Sequence, residues 1–188
     1  MDIFKGRITS SGFDSGDRIV VGIWNKSPFG KFSDIMWSNA EGKNILIAPT
    51  KEIGDYISSM YSFEEVLISN IELIETEDSF EIITDYICCN FSWSRGFRIP
   101  FRRPLWFIST IENLFAKLVF GTKTSGVTND KKREWYCINK ISKVKIASAS
   151  LSGKSFGQKT KFHPKAKFGF SEPPKKPTSV LVTTIIKS

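Results

Sequence analysis

One histidine, three cysteines and no long uninterrupted apolar run are what this 188-residue chain has least of. With His163 alone, a Ser–His–Asp or Cys–His relay has a single place to run through, the loop-like segment HPKAK. No nucleophile-elbow motif accompanies it. Cys88 and Cys89 are adjacent and Cys137 is remote, so no disulfide framework is expected. Reduced thiols in a cytoplasmic setting are the simpler reading. Neighbouring strand residues point to opposite faces, which argues against Cys88 and Cys89 sharing a metal with Cys137 and His163. No metal and no cofactor are therefore expected. The longest apolar-rich stretch, Leu105 to Phe120, contains Glu112, Asn113 and Lys117. It falls short of the roughly 20 apolar residues a spanning helix needs. Asp2, Lys5 and Arg7 follow Met1 where a secretory signal would be apolar. Repeats and flexible linkers are missing too, so the expectation is a single domain over 1–188.

Aromatic residues, by contrast, are plentiful, with sixteen Phe and five Trp, and 40% of the chain is hydrophobic. That composition belongs to a packed globule. Charge is unevenly distributed: residues 1–88 hold seven Lys/Arg against fifteen Asp/Glu, and residues 89–188 hold twenty against four. Such a split points to a polyanionic partner, or to two halves that complement each other within one fold.

The first half reads as strands joined by short turns. Arg18–Trp24, Phe32–Trp37 and Asn44–Ala48 are separated by Ser27-Pro28-Phe29-Gly30 and Asn39-Ala40-Glu41-Gly42, which makes a three-strand meander. Thr50 is placed to cap a helix over 50–61, with Ile53, Tyr56, Ile57 and Met60 on one face. Val66–Glu75 and Phe80–Cys89 form a second strand pair. Pro104 and Gly121 bracket a second helix over 104–120. Further strand signals fall at Glu134–Ile138, Lys143–Ala149, Lys167–Phe170 and Val180–Ile186, and the last is apolar enough to lie centrally. The segment Ser10–Arg18, with Asp14 and Asp17 between glycines, reads as a loop. The expected class is α+β: a β-rich, mainly antiparallel curled sheet, barrel-like or two-layered, of about eight to nine strands with two packed helices.

Trp93–Trp106 is the segment with the most chemistry in it. Arg95, Arg98, Arg102 and Arg103 alternate with Trp93, Phe97, Phe101 and Trp106. Guanidinium groups fork onto carboxylate or phosphate oxygens and stack on aromatic planes. The same alternation also describes an ordinary half-buried strand with solvated arginines. A second basic group, Lys131, Lys132 and Arg133, precedes Trp135 and Tyr136. Acid–base chemistry would have to use a carboxylate, with Asp14, Asp17 and Asp34 available, or a buried lysine.

Three functions follow in order. The first is a non-enzymatic binder of a small anionic or amphipathic ligand, held in a β-rich pocket rimmed by Trp93, Arg95, Arg98, Arg102, Arg103 and Trp106. The second is a nucleic-acid binder using 93–106 with Lys131, Lys132, Arg133 and Trp135. The third is an enzyme without a recognisable motif, using a buried Lys or carboxylate.

Overall fold

The computed structural model describes residues 1–99 and 124–187. In chain order the elements are β1 (Asp2–Phe13), β2 (Arg18–Lys26), β3 (Phe32–Ser38), β4 (Asn44–Ala48), α1 (Lys51–Met60), β5 (Glu65–Ile68), β6 (Ile71–Glu75), β7 (Ser79–Thr84), β8 (Ile87–Trp93), β9 (Phe97–Arg98), β10 (Ser125–Val127), β11 (Arg133–Leu151), β12 (Lys154–Ser155), β13 (Lys159–Thr160) and β14 (Thr178–Lys187). Ten strands run side by side as β5-β4-β3-β2-β1-β14-β11-β8-β7-β6, and β9, β10, β12 and β13 add short pairings to β11 or β1. Neighbours on this path are antiparallel except β4 and β5, whose parallel pairing is made possible by the crossover through α1.

The β-rich, curled and mainly antiparallel architecture agrees with the sequence reading, but the detail differs. The path has ten strands, and α1 is the one helix among the described residues. The expected helix over 104–120 lies outside them. β1 replaces the expected Ser10–Arg18 loop as far as Phe13 and pairs with both β2 and β14. Val66–Glu75 divides into β5 and β6, and Lys167–Phe170 is irregular. Thr50 caps α1 as expected, its side chain accepting from the Ile53 amide at 3.3 Å. β14 is central, as its apolar sequence requires.

β11 decides how the sheet closes. Its 19 residues pair with β14 from Arg133 to Lys143 and with β8 from Val144 to Leu151. The register slips between Ile138 and Lys140 against β14, and again between Val144 and Ile146 against β8. Extra residues of this kind bend and twist a strand. The two ends of the sheet therefore turn to face each other. Ile19, Val21 and Ile23 of β2, with Ile35, Trp37, Ile45 and Ile47, pack against Phe80, Ile82, Cys89, Phe91 and Trp93. Trp93 is a wall of this core, and the buried Arg7 guanidinium lies 4.0 Å over its ring.

The alternate residues of the central strands point the other way and are covered a second time. α1 lays Ile53 and Ile57 on Leu46 and Ala48, and Met60 reaches Phe4 and Ile186. Residues 162–174 form an irregular strap in which Phe162, Ala166 and Phe168 pack on Val20. The strap is tied down by polar bonds: Arg18 donates to the carbonyl of Pro164, Asn44 to that of Ala166, and the Ser62 amide to that of Phe168. No helix among the described residues is long and apolar enough to cross a membrane.

Phe91 is fully buried where the two ends of the sheet meet. Phe91→Ala is expected to cost about 3–5 kcal/mol of stability, read from the midpoint of urea unfolding, because losing the ring that packs on Phe80 leaves a cavity in the core.

Candidate functional site: a cavity with two buried carboxyl groups

Between the second face of the sheet and its cover lies a cavity of about 170 Å³. Its walls are the inward residues of β1, β2, β3, β14 and β11, with α1 and the strap above. Most of this lining is apolar: Ile8, Val20, Met36, Ile138, Val180 and Val182 are representative. Among the described residues no lysine or arginine lines it, while Asp34, Glu134 and the half-buried Glu172 do, the last accepting from the Ala166 and Lys167 amides. The two fully buried acids, Asp34 and Glu134, are the exception that asks for an explanation.

Asp34 enters from β3, where alternation turns Ile35 and Trp37 to the core and Asp34 and Met36 to the cavity. It is 2% exposed, and its Oδ1 accepts a 2.8 Å hydrogen bond from Trp24 Nε1. Asp34 is paired in register with Gly22, and a Cβ there would stand 2.5 Å from Asp34 Oδ1 and 2.7 Å from Trp24 Nε1. The missing side chain is what lets indole and carboxyl meet. Burial pushes the Asp34 carboxyl up to about 7 against the opposing effect of the Trp24 bond.

Glu134 enters from β11 by the same alternation, with Tyr136 and Ile138 on its face and Trp135 on the other. It is 1% exposed. The Tyr61 hydroxyl, one residue past α1, lies 2.7 Å from each carboxyl oxygen of Glu134 and 2.8 Å from the Tyr136 hydroxyl. Burial pushes Glu134 up to about 7 although the tyrosine bonds oppose it. Burial and then the charge of Glu134 hold both phenols well above their ordinary values, and Asp34 adds to the effect on Tyr136. Asp34 and Tyr136 are separated by β2, β1 and β14. Across a flat sheet that would be roughly 19 Å. Curvature of the sheet therefore brings Asp34 near enough to act on the Tyr136 phenol. Beside Tyr136, in register on β14, Thr184 lines the cavity with a buried Oγ1 that has no hydrogen-bond partner.

The residues singled out from sequence lie elsewhere. Trp93 is core, Arg95 and Arg98 are exposed, and none of the three lines the cavity. Arg102, Arg103 and Trp106 lie outside the described residues. Of the second basic group, Lys131 is exposed, whereas Lys132 pairs with Asp130 at 2.7 Å and lies 5.3 Å from the Tyr56 ring centroid. Arg133 sits 6.0 Å over Trp135, itself buried. Asp14 and Asp17 serve their own neighbourhood, with Asp17 accepting from Trp37 Nε1 and from Ser15. Asp34 alone of the three expected carboxylates reaches the cavity. Glu134 was hidden inside the Lys131–Tyr136 group. Its signal is an acid alternating with Tyr136 and Ile138 along a strand.

No protein-family model matches this chain, and no curated protein does. Among solved structures, an acetoacetate decarboxylase from Legionella pneumophila subsp. pneumophila str. Philadelphia 1 is similar at 12% identity and a TM-score of 0.43, over 99% of this chain and 82% of that one. A second structure, described as a study of acetoacetate decarboxylase, is similar at 8% identity and a TM-score of 0.45, over 99% and 84%. Likeness at this level carries no function across, and the chemistry has to be argued from the cavity.

Two outcomes test the site. Unfolded, each carboxyl titrates near the ordinary ~4. The folded chain therefore holds more protons between about pH 4 and 7, and stability falls as pH rises through that window. Urea midpoints should drop from pH 5 to pH 8 in the native chain, and drop less in the Asp34→Asn, Glu134→Gln double variant. Equal slopes would mean that neither group is buried as described. Separately, Gly22→Ala should cost about 1–3 kcal/mol by forcing Trp24 off Asp34, measured by the same unfolding. In an Asp34→Asn background the added cost should shrink.

Proposed function

We propose that this chain binds a small, largely apolar molecule in the cavity, through hydrogen-bonding groups that are uncharged or cationic. The observation that carries the reading is the combination of an apolar enclosure with convergent polar atoms: Asp34, Glu134 with its two tyrosines, and the unpartnered hydroxyl of Thr184. Buried polar groups are normally satisfied, and a hydroxyl left over in a cavity wall is a site for a guest atom. The ligand chemistry differs from the anionic one that the arginine segment led us to expect. Three carboxyl groups, two of them buried, with no cation among the described lining residues, disfavour a negative guest. Of the motif-free enzyme alternatives, the described lining supplies carboxylates and not lysine.

A pair of probes with one skeleton and different charge tests this. Neutral N-phenyl-1-naphthylamine should bind saturably with one site and an affinity roughly tenfold or more above that of its anionic sulfonate analogue, 8-anilinonaphthalene-1-sulfonate, a difference of about 1.4 kcal/mol. Val182→Phe, which grows into the cavity from β14, should remove probe fluorescence while the far-ultraviolet circular dichroism stays native. Tighter binding of the sulfonate would restore the anionic ligand. Undiminished binding in Val182→Phe would move the site away from this cavity.

A further inference from the structure

The Tyr61–Glu134–Tyr136 cluster has a proton count that fixes what it offers to a guest. With Glu134 ionised, the Tyr61 proton is needed for the 2.7 Å contact with the carboxyl, and the Tyr136 proton for the 2.8 Å contact with Tyr61. The cluster then presents lone pairs alone. With Glu134 protonated there is one proton more than the internal contacts require, and an O–H can turn into the cavity. Burial of Glu134 favours that form toward neutral pH. The Thr184 hydroxyl beside Tyr136 marks where an oxygen of a guest would be received. Toward β3 the situation is complementary. Trp24 holds Asp34 Oδ1, and the other oxygen has no hydrogen bond among the described residues, so an ionised Asp34 is a base with a lone pair to offer. A proton-donating group and a proton-accepting group thus line one largely apolar cavity.

We propose that the cavity is an acid–base centre that interconverts the keto and enol forms of an uncharged, largely apolar ketone or aldehyde. The proposal rests on the reading of the cavity as a small-molecule site. Asp34 takes the proton from the carbon next to the carbonyl. The C–H electron pair becomes the C=C bond, and the C=O π pair moves to oxygen. That oxygen receives a proton from the Tyr136 hydroxyl, replenished through Tyr61 from Glu134. The enol forms with Asp34 protonated and Glu134 ionised. Return of the Asp34 proton to the same carbon, or to a conjugated one, and of the enol proton to the cluster restores both groups. Protons and electrons balance without a co-reactant. Placing a base and a hydrogen-bonding acid in a water-poor site is how such steps are accelerated, each partner contributing roughly 10²–10⁴-fold or 10²–10³-fold.

The experiment uses 2-tetralone, an apolar ketone with exchangeable carbon-bound hydrogens, in D₂O. It first measures displacement of N-phenyl-1-naphthylamine, then deuterium incorporation next to the carbonyl by NMR. The native chain should exchange the ketone well above buffer. Asp34→Asn, which keeps an oxygen for Trp24, should lower exchange measured at saturating 2-tetralone by about 10²-fold or more, whatever its effect on probe affinity. Tyr136→Phe should lower it by about 10²-fold. If 2-tetralone displaces the probe and does not exchange, catalysis is overturned while the binding reading stands. If the probe binds and 2-tetralone fails to displace it, the carbonyl substrate class is wrong. If exchange survives Asp34→Asn, that residue is not the base. Failure of the neutral probe to bind at all would sink the binding reading together with this one.

Discussion

The constraint on which everything else depends is that the central strands are buried on both faces. Strand geometry sends alternate side chains to opposite sides, so β2 must satisfy two environments at once. Ile19, Val21 and Ile23 go to the core, and Val20, Gly22 and Trp24 to the cavity side. The core face is filled with aromatic and branched side chains. Among the described residues the other face is roofed by one short helix and an irregular strap, whose side chains reach the sheet at separate patches around Val20, Leu46 and Phe4. The space left among these patches is the cavity.

That division also explains the acids. On the roofed face each fully buried acid has an aromatic donor aimed at it, Trp24 for Asp34 and Tyr61 for Glu134. Neither bond restores what water would give, which is why both groups hold their protons more tightly than usual. Buried polar groups that are only partly satisfied weaken a fold, and proteins retain them where function requires it.

Legibility in the sequence followed the same line. Strands with clean alternation were readable, as were the Thr50 cap and the central place of β14. β1 was not, because Lys5, Arg7 and the Ser10–Ser11 pair look solvated, whereas Arg7 is buried by stacking on Trp93 and donating to Ser179. β11 read as two strands because Asn139 and Lys140 fall at its first register slip, where polar residues resemble a turn. Glu134 escaped the sequence reading through charge averaging. Glu134 follows three cations, and the sum of a basic run says nothing about which face a single acid occupies. The arginine–aromatic alternation of 93–98 proved to combine a core tryptophan with exposed arginines, the ordinary outcome of a strand at the edge of the core.

The strap over the cavity carries one more consequence. Its ties include polar bonds from Arg18, Asn44 and Ser62, and it meets the sheet through Phe162, Ala166 and Phe168 in a cluster separate from the main core. Detaching residues 162–174 would break those ties and leave the packing between the two ends of the sheet intact. A roof attached in this way is expected to open locally at a smaller free energy than global unfolding, so that admitting a guest leaves the main core untouched.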